Sequence, residues 1–461
     1  MSRVSVTTCS RRTHCAVVCR RGAAFAIALF VAALPGAHAG EPDLSHILTS
    51  RWAVGLDDGA TQLLDLGWRP EARWRFDDGG RLTGRLRLRV QTESGTRPGD
   101  LERDSYAPST RPRLIGDKTE LALRELYYER PLGDWYLTLG KQQVVWGKAD
   151  GLKVLDVVDP QSFREFILED FDQSRIPLWT VNLERSAYGW MGGDWTLQVL
   201  WIPDRSYHAL PRPGATWAFS SPRLVPQAPP GVTVVLDDAQ TPDASLRNSD
   251  AGVRLSGFVG GWDLTLNYLY QYDNRPALHQ RVQPGPVPVV TVTPRYHRTH
   301  IAGATFSRAF GDWVLRGELG YFTDRYYLTD DPADTDGVDR AAETSYVLGL
   351  DWSGLDDTFV SFQLFQSRLH DRRPGLTQPR LDTNLTLLVR HESLNDTLTA
   401  EVLWILNSRD GDGLVRPRVG YDVEENLEVW LAADLFYGTS RGLYGQFDDN
   451  DRMVLGLKLG L

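Results

Sequence analysis

The chain has 461 residues, with 50 lysines and arginines against 60 aspartates and glutamates, a formal net charge of −10 with histidine neutral. An acidic balance of this kind suits a solvated surface and disfavours general nucleic-acid binding. The three cysteines, Cys9, Cys15 and Cys19, all fall near the start, so the rest of the chain holds no disulfide framework, thiolate metal site or cysteine nucleophile.

Residues 1–39 read as a secretory signal peptide. Arg11, Arg12, Arg20 and Arg21 precede an apolar run from Ala23 to Leu34, and Ala37-His38-Ala39 forms an A-x-A cleavage site. The run is too short for a spanning helix, and no other stretch approaches the roughly 18 apolar residues that one needs. The expected mature chain, 40–461, is a single domain; without five arginines it carries 45 basic against 60 acidic side chains, a net −15. Five lysines occur in all, so almost every cation is arginine.

Strand patterning begins early. In GRLRLRVQTE, Arg85, Arg87 and Arg89 alternate with Leu86, Leu88 and Val90. Successive side chains on a strand point to opposite faces, so this strand has one charged and one aliphatic face. TELALRELYYER (119–130) has a charge in both phases, at Arg124 and Glu125, which predicts a bulge or a local exception. Tight turns then recur as Gly133-Asp134-Trp135, Gly193-Asp194-Trp195, Gly261-Trp262-Asp263 and Gly311-Asp312-Trp313. Each is followed by alternation: WDLTLNYLYQY sets Trp262, Leu264, Leu266, Tyr268, Tyr270 and Tyr272 against Asp263, Thr265, Asn267 and Gln271. In WVLRGELGY, Arg316 and Glu318 oppose Trp313, Leu315, Leu319 and Tyr321. The terminal MVLGLKLGL aligns Met453, Leu455, Leu457, Leu459 and Leu461 on one face, with Lys458 opposite.

Apolar-out, polar-in strands joined by short turns on one side and long loops on the other define an all-β, transmembrane antiparallel β-barrel. Lipid offers backbone groups no hydrogen-bond partner, so strands span only as a closed sheet. Eighteen strands are predicted, near 50–57, 71–78, 81–92, 118–130, 134–147, 179–190, 193–203, 250–259, 262–272, 297–310, 312–324, 344–352, 357–369, 382–391, 397–406, 415–423, 427–437 and 451–461; sixteen is the alternative count. Turns would be periplasmic and loops extracellular, in the outer membrane of a Gram-negative bacterium. Trp135, Trp195, Trp262 and Trp313 would form an aromatic girdle. The apolar C-terminal strand would signal to the barrel-assembly machinery, although its last residue is leucine where an aromatic is usual.

A barrel of this size is wide enough for an aqueous channel unless something fills it. The candidate filler is loop 148–178, whose PQSFREFILEDF carries Phe163, Phe166, Ile167 and Phe171 at helical spacing among Glu165, Glu169, Asp170 and Asp172. Folded inward, its carboxylates would oppose Arg85, Arg87 and Arg89 in a charged constriction. The competing readings are a surface helix for the loop, and structural ladders between arginines and inward acids such as Glu318. Loop 204–248 is rich in proline and would cap the mouth, contact a neighbouring protomer or stay external. Acidic clusters at 330–339, 410–412 and 448–451 suit solvation or bridging to lipopolysaccharide through divalent cations. His297 and His300 are three apart on a strand, hence on opposite faces and unsuited to one metal. No G-x-S-x-G, H-E-x-x-H or P-loop occurs, and no enzyme activity, cofactor or metal is expected.

Residues 120–220 contain ELALRELYYERPLGDWYLTLGKQQVVWG, DVVDPQSF, SRIPLW and VLWIPDRSYHALPRPGATWAF. These resemble a proteobacterial outer-membrane β-barrel family whose domain is named as of unknown function, similar in style to porins and alginate-export barrels. GKQxVxWG and the later WIP are the most specific elements. The resemblance implies an exporter of the RND type as a partner and brings no catalytic residues. The leading expectation is therefore a porin-like outer-membrane channel, passing a solute passively or serving as the conduit of an exporter, with a homotrimer among its assembly states. The alternative is a plugged structural or adhesion barrel that binds partners through its acidic loops.

Overall fold

The computed structural model describes residues 41–94, 106–243 and 245–461; the expected signal peptide and the three cysteines lie outside them. Eighteen antiparallel strands form the wall: β1 Asp43–Gly55, β2 Thr61–Arg75, β3 Arg81–Ser94, β4 Thr119–Leu132, β5 Trp135–Gln142, β6 Leu178–Trp190, β7 Gly193–Ile202, β8 Asp250–Val259, β9 Trp262–Tyr272, β10 Arg298–Phe310, β11 Trp313–Leu328, β12 Val338–Leu355, β13 Thr358–Leu369, β14 Leu381–Ser393, β15 Leu398–Asn407, β16 Gly413–Glu424, β17 Leu427–Tyr437 and β18 Arg452–Gly460. Each pairs with its neighbours in sequence. β1 then pairs with β18, from Ile47 opposite Gly460 to Gly55 opposite Arg452. Closure leaves the wall without a free edge, which a lipid-exposed sheet requires. Among the described residues no helix is long and apolar enough to cross a membrane.

The two faces of the wall are inverted relative to a water-soluble protein. On β9, Leu266 and Tyr268 are exposed, while Thr265, Asn267, Leu269 and Gln271 are buried. On β3, Leu86 is exposed, while Thr83, Arg87, Arg89 and Gln91 are buried. The apolar side chains therefore point out of the barrel and the polar ones into it. Short turns gather at one rim. Gly260 and Gly261, at φ of 57° and 82°, make the turn into Trp262, a backbone shape that only residues tolerant of positive φ allow. The opposite rim carries the long loops, including a small sheet of Thr233–Leu236, Ala277–Gln283 and Val289–Arg295.

Three details differ from the sequence pattern or refine it. β1 and β2 lie at Asp43–Gly55 and Thr61–Arg75 rather than near 50–57 and 71–78. The connection between them, 56–60, is short although it lies on the long-loop side. Inward Ala53 and Leu63 are both fully buried with Val454, and these apolar inward residues blur the alternation. β5 ends at Gln142 instead of 147, because the chain there turns into the lumen. In β4, pairing steps from Arg85–Glu125 to Leu86–Leu123. Arg124 is thus the extra residue of a bulge, which resolves its charge in both phases.

Candidate functional site

Residues 143–177 leave the wall after β5, run through the barrel interior and rejoin the wall at β6. Two sets of contacts hold them. The first uses the inward faces of β7 to β13. Trp146 is buried and donates from Nε1 to Gln198 Oε1 at 2.8 Å. Leu155 is fully buried and seats against wall glycines; a Cβ on Gly303 would lie 2.6 Å from its side chain. Glu318 on β11 accepts backbone N–H bonds from Lys148, from Ala149 at 2.7 Å and from Leu155 at 2.8 Å. Two residues away, Arg316 donates to the Lys148 carbonyl at 2.8 Å and to Asp351 at 3.0 Å, and pairs with Asp150. Glu318 thus holds backbone rather than a wall arginine.

The second set is ionic. Glu165, 1% exposed, accepts from Arg51 at 2.8 Å and from Arg89, with Arg452 at 3.6 Å. Asp65 accepts from the same Arg51 at 2.7 Å and Arg89 at 2.8 Å. Arg89 also reaches Glu169 at 2.9 Å. Arg87 and Arg164 share Glu120, at 3.2 and 2.8 Å. Arg85 stays within the wall, between Glu71 at 2.8 Å and Glu125. Burial alone would raise the Glu165 pKa, but Arg51, Arg89 and Arg452 outweigh it and hold the carboxyl well below the usual range. Breaking such a buried pair from one side costs about 3–5 kcal/mol, because a charge is left unmatched.

The segment is not the amphipathic helix that its spacing suggested. Its helical content is one turn, Phe171–Ser174. Gln161 bridges to Arg175 and Ser162 to Ala209 in extended pairing, and Phe166 takes a φ of 51°. A helix this short has no stability of its own, so the contacts with the wall and the neighbouring loop dictate the path. Phe166 packs with Trp217, Phe436, Tyr444 and Phe447 in a buried aromatic cluster. Trp217 belongs to loop 203–249, which crosses the mouth: Gln161 N–H donates to His208 Nδ1 at 2.8 Å and Phe163 N–H to the Ala209 carbonyl at 2.8 Å.

Two of the spaces that remain are lined mainly by polar atoms. A cavity of about 580 Å³ is lined by Arg69, Asp170, Asp172, Arg418 and Lys458 among others. A second, of about 620 Å³, shares Arg69 and Asp172 and adds Glu71 and Arg124. Beyond the segment, a third of about 370 Å³ meets Lys153, Phe163, His208, Arg325 and Tyr346. Asp170 and Asp172 are exposed and face this space; Glu165 is buried against arginines, and Glu169 pairs with Arg89 while also bordering the cavity. Trp135, Trp195, Trp262 and Trp313 all stand at the short-turn rim. Trp313 stacks on Trp352 at 5.8 Å and Arg308 lies over Trp262 at 5.2 Å.

The structure therefore brings Arg87, Arg89, Glu165 and Glu169 together and sets Arg85 apart from them. Arg316 and Glu318 join the same segment about twenty residues upstream. Arg51, Asp65, Glu120, Arg164 and Arg452 complete the site and were not singled out from sequence. Arg51 and Asp65 sit on the two misplaced strands; correct placement would have put both in the inward phase. Arg452 had a legible signal, a charge in the inward phase of β18.

This arrangement defines a class: a closed outer-membrane-type β-barrel whose lumen is narrowed by one ion-paired segment of its own chain. The chain belongs to the family described as a protein of unknown function (DUF1302), whose model matches residues 116–460. No curated protein matches the chain. Solved structures similar to it include OmpF of Salmonella typhi in complex with daunomycin, at 10% identity and TM-score 0.43, covering 91% of this chain and 97% of that one. OpdK of Pseudomonas aeruginosa with vanillate is similar at 12% identity and TM-score 0.48, covering 91% and 98%. A further crystal structure of OpdK, there also called OccK1, is similar at 11% identity and TM-score 0.47, again covering 91% and 98%. Likeness at this level concerns strand layout and does not extend to solutes.

Proposed function

We propose that the protein is a porin-like channel of the Gram-negative outer membrane that passes a solute passively, its constriction set by residues 143–177. The observation that carries this reading is the pinned segment with two polar-lined cavities, of about 620 and 580 Å³, left open beside it. A barrel filled for rigidity alone would have no need of open polar space beside the filler. In this reading Arg87, Arg89, Arg316, Glu165, Glu169 and Glu318 fix the segment, while Asp170, Asp172 and Arg69 meet the permeating solute. Service as the outer-membrane conduit of an exporter is a finer form of the same function.

The test is single-channel recording of the folded mature protein in a planar bilayer, with reversal potentials in a salt gradient. Steady ion-selective steps support the channel. A folded barrel without conductance would overturn it in favour of a plugged barrel, the reading that the buried aromatic cluster around Phe166 and Trp217 favours.

A further inference from the structure

Outside the lumen, one side-chain cluster among the long loops has a geometry that points to a ligand. His279 lies on the strand Ala277–Gln283, opposite Thr293. His297 sits just before β10. As the strand pattern requires, His300 turns to the other face, where Nδ1 meets the Tyr268 hydroxyl at 2.7 Å. The partner of His297 is instead His279: their Nε2 atoms are 2.9 Å apart. On its far side, His279 Nδ1 meets Asp336 Oδ2 at 2.8 Å. His297 stacks on Tyr326 with ring centroids 3.9 Å apart. Asp336 is itself held, because Gln280 N–H donates to its carbonyl at 2.7 Å and its own N–H donates to Asp334 at 2.9 Å.

This chain of contacts suits one neutral tautomer of His279. In it, Nδ1–H donates to the Asp336 carboxylate and the Nε2 lone pair is presented to His297. A carboxylate behind a histidine in this way orients and strengthens it as a metal ligand. The ring spacing also fits. A tetrahedral ion about 2.0–2.1 Å from each Nε2 needs these atoms about 3.3–3.4 Å apart, against 2.9 Å now, a small opening that leaves the ring centroids near their present 5.2 Å. The rings would pivot in place, the N–H···N bond giving way to two bonds to the ion. The Asp336 side chain is half exposed, which leaves a path for the ion and room for water at the remaining positions.

We propose that His279 and His297 form a two-imidazole site for a divalent transition-metal ion of the zinc class, with Asp336 as the positioning residue behind His279. The site joins the hairpin of the accessory sheet, the start of β10 and loop 329–337, so a bound ion would fasten three loops at the long-loop rim.

The experiment is titration of the folded, tag-free barrel with Zn(II) alone by calorimetry, and with Co(II) alone by visible absorption. We expect one site with the intense bands of four-coordinate Co(II). His279→Gln and His297→Gln should each weaken Zn(II) binding by at least about tenfold, and Asp336→Asn by about 10- to 100-fold. His300→Gln should leave it unchanged. Variants whose folded band on electrophoresis is lost are replaced by diethylpyrocarbonate modification of the wild type, with and without Zn(II); protection of His279 and His297 is the expected result. Wild-type affinity in both His→Gln variants, absence of that protection, or absence of any Zn(II) binding would overturn the proposal.

Discussion

Glu318→Gln isolates the grip of the wall on the inward segment without changing side-chain volume. The two carboxylate oxygens of Glu318 divide three backbone donors: Oε1 serves Lys148 and Ala149, and Oε2 serves Leu155. Glutamine keeps one oxygen. If it serves Lys148 and Ala149, the amide NH2 confronts the Leu155 N–H, donor against donor, at a fully buried residue. The charge-assisted character of the two surviving bonds is lost as well. One orphaned buried donor and two weakened bonds cost about 2–4 kcal/mol. At 1.4 kcal/mol per decade, local opening of 148–155 becomes roughly 30- to 700-fold more frequent. Hydrogen exchange of the amides of Lys148, Ala149 and Leu155 should accelerate accordingly, and single-channel records should gain brief excursions to a larger conductance. Glu428→Gln, which alters a partly exposed pair with Arg418, should do neither. Unchanged exchange and unchanged current in folded Glu318→Gln would refute the assignment of Glu318 as an anchor.

The other predictions address charge and pH. Glu165→Gln leaves Arg51, Arg89 and Arg452 facing one another with one carboxylate fewer, so the folded barrel should lose about 3–5 kcal/mol, read as a lower temperature for its electrophoretic mobility shift; an unaltered transition would argue against the buried network. Asp170→Asn with Asp172→Asn removes the carboxylates that face open space and should move the reversal potential towards anion selectivity. Charge-neutral variants of Arg87 or Arg89 should alter stability more than selectivity, and the opposite ranking would mean that these arginines face the solute. His208 is pushed down to about 3 by burial, with Lys153, Arg275 and Arg325 adding to the effect against Asp273. Its neutral form, the acceptor for Gln161 N–H, is the one that the fold prefers, so its contribution is full above the unfolded value near 6.5 and is lost as pH falls below it. At pH 5 the loss reaches about 2 kcal/mol. The protection factors of Gln161 and Phe163, exchange rates referred to the intrinsic rate at each pH, should therefore fall between pH 7 and 5, and His208→Gln should abolish that dependence.

The wall was legible because its rule is local. A strand exposes one face to lipid and one to the lumen, so period two is written into each ten-residue stretch, and the Trp-led turns set its phase. The bulge at Arg124 could be read for the same reason: two adjacent charges in a spanning strand force an extra residue. Where inward positions were apolar, as at Ala53 and Leu63, the rule lost contrast and the strands were misplaced. The interior followed no local rule. Glu318 meets its donors about 165 residues away along the chain, and Arg452 meets Glu165 from nearly 290. Helical spacing in PQSFREFILEDF was real as a pattern, but its phenylalanines satisfy a buried aromatic cluster and not a helix face. The His279–His297 contact was hidden likewise, because it depends on how a hairpin folds back on the wall.

The composition has a structural reason that the sequence alone left open. Almost every cation in this chain is arginine, and at the inward anchors the forked guanidinium is used in several directions at once. Arg89 touches Asp65, Glu165 and Glu169; Arg51 touches Asp65 and Glu165. A lysine ammonium is a compact point charge, more strongly hydrated, and does not match two carboxylates with a planar fork. Arg89→Lys should therefore keep the formal charge and still loosen the segment. Buried ion pairs are weak sources of net stability, but breaking one is costly, so they fix one path for a segment and penalise alternatives. Within the network the charges largely cancel. The anchors Arg51, Arg87, Arg89 and Glu169 also border the remaining space, but as pairs, so the unbalanced field there comes chiefly from Asp170 and Asp172 on the segment and Arg69 and Lys458 on the wall. On the proposed channel reading, selectivity should follow these four groups more than the paired anchors.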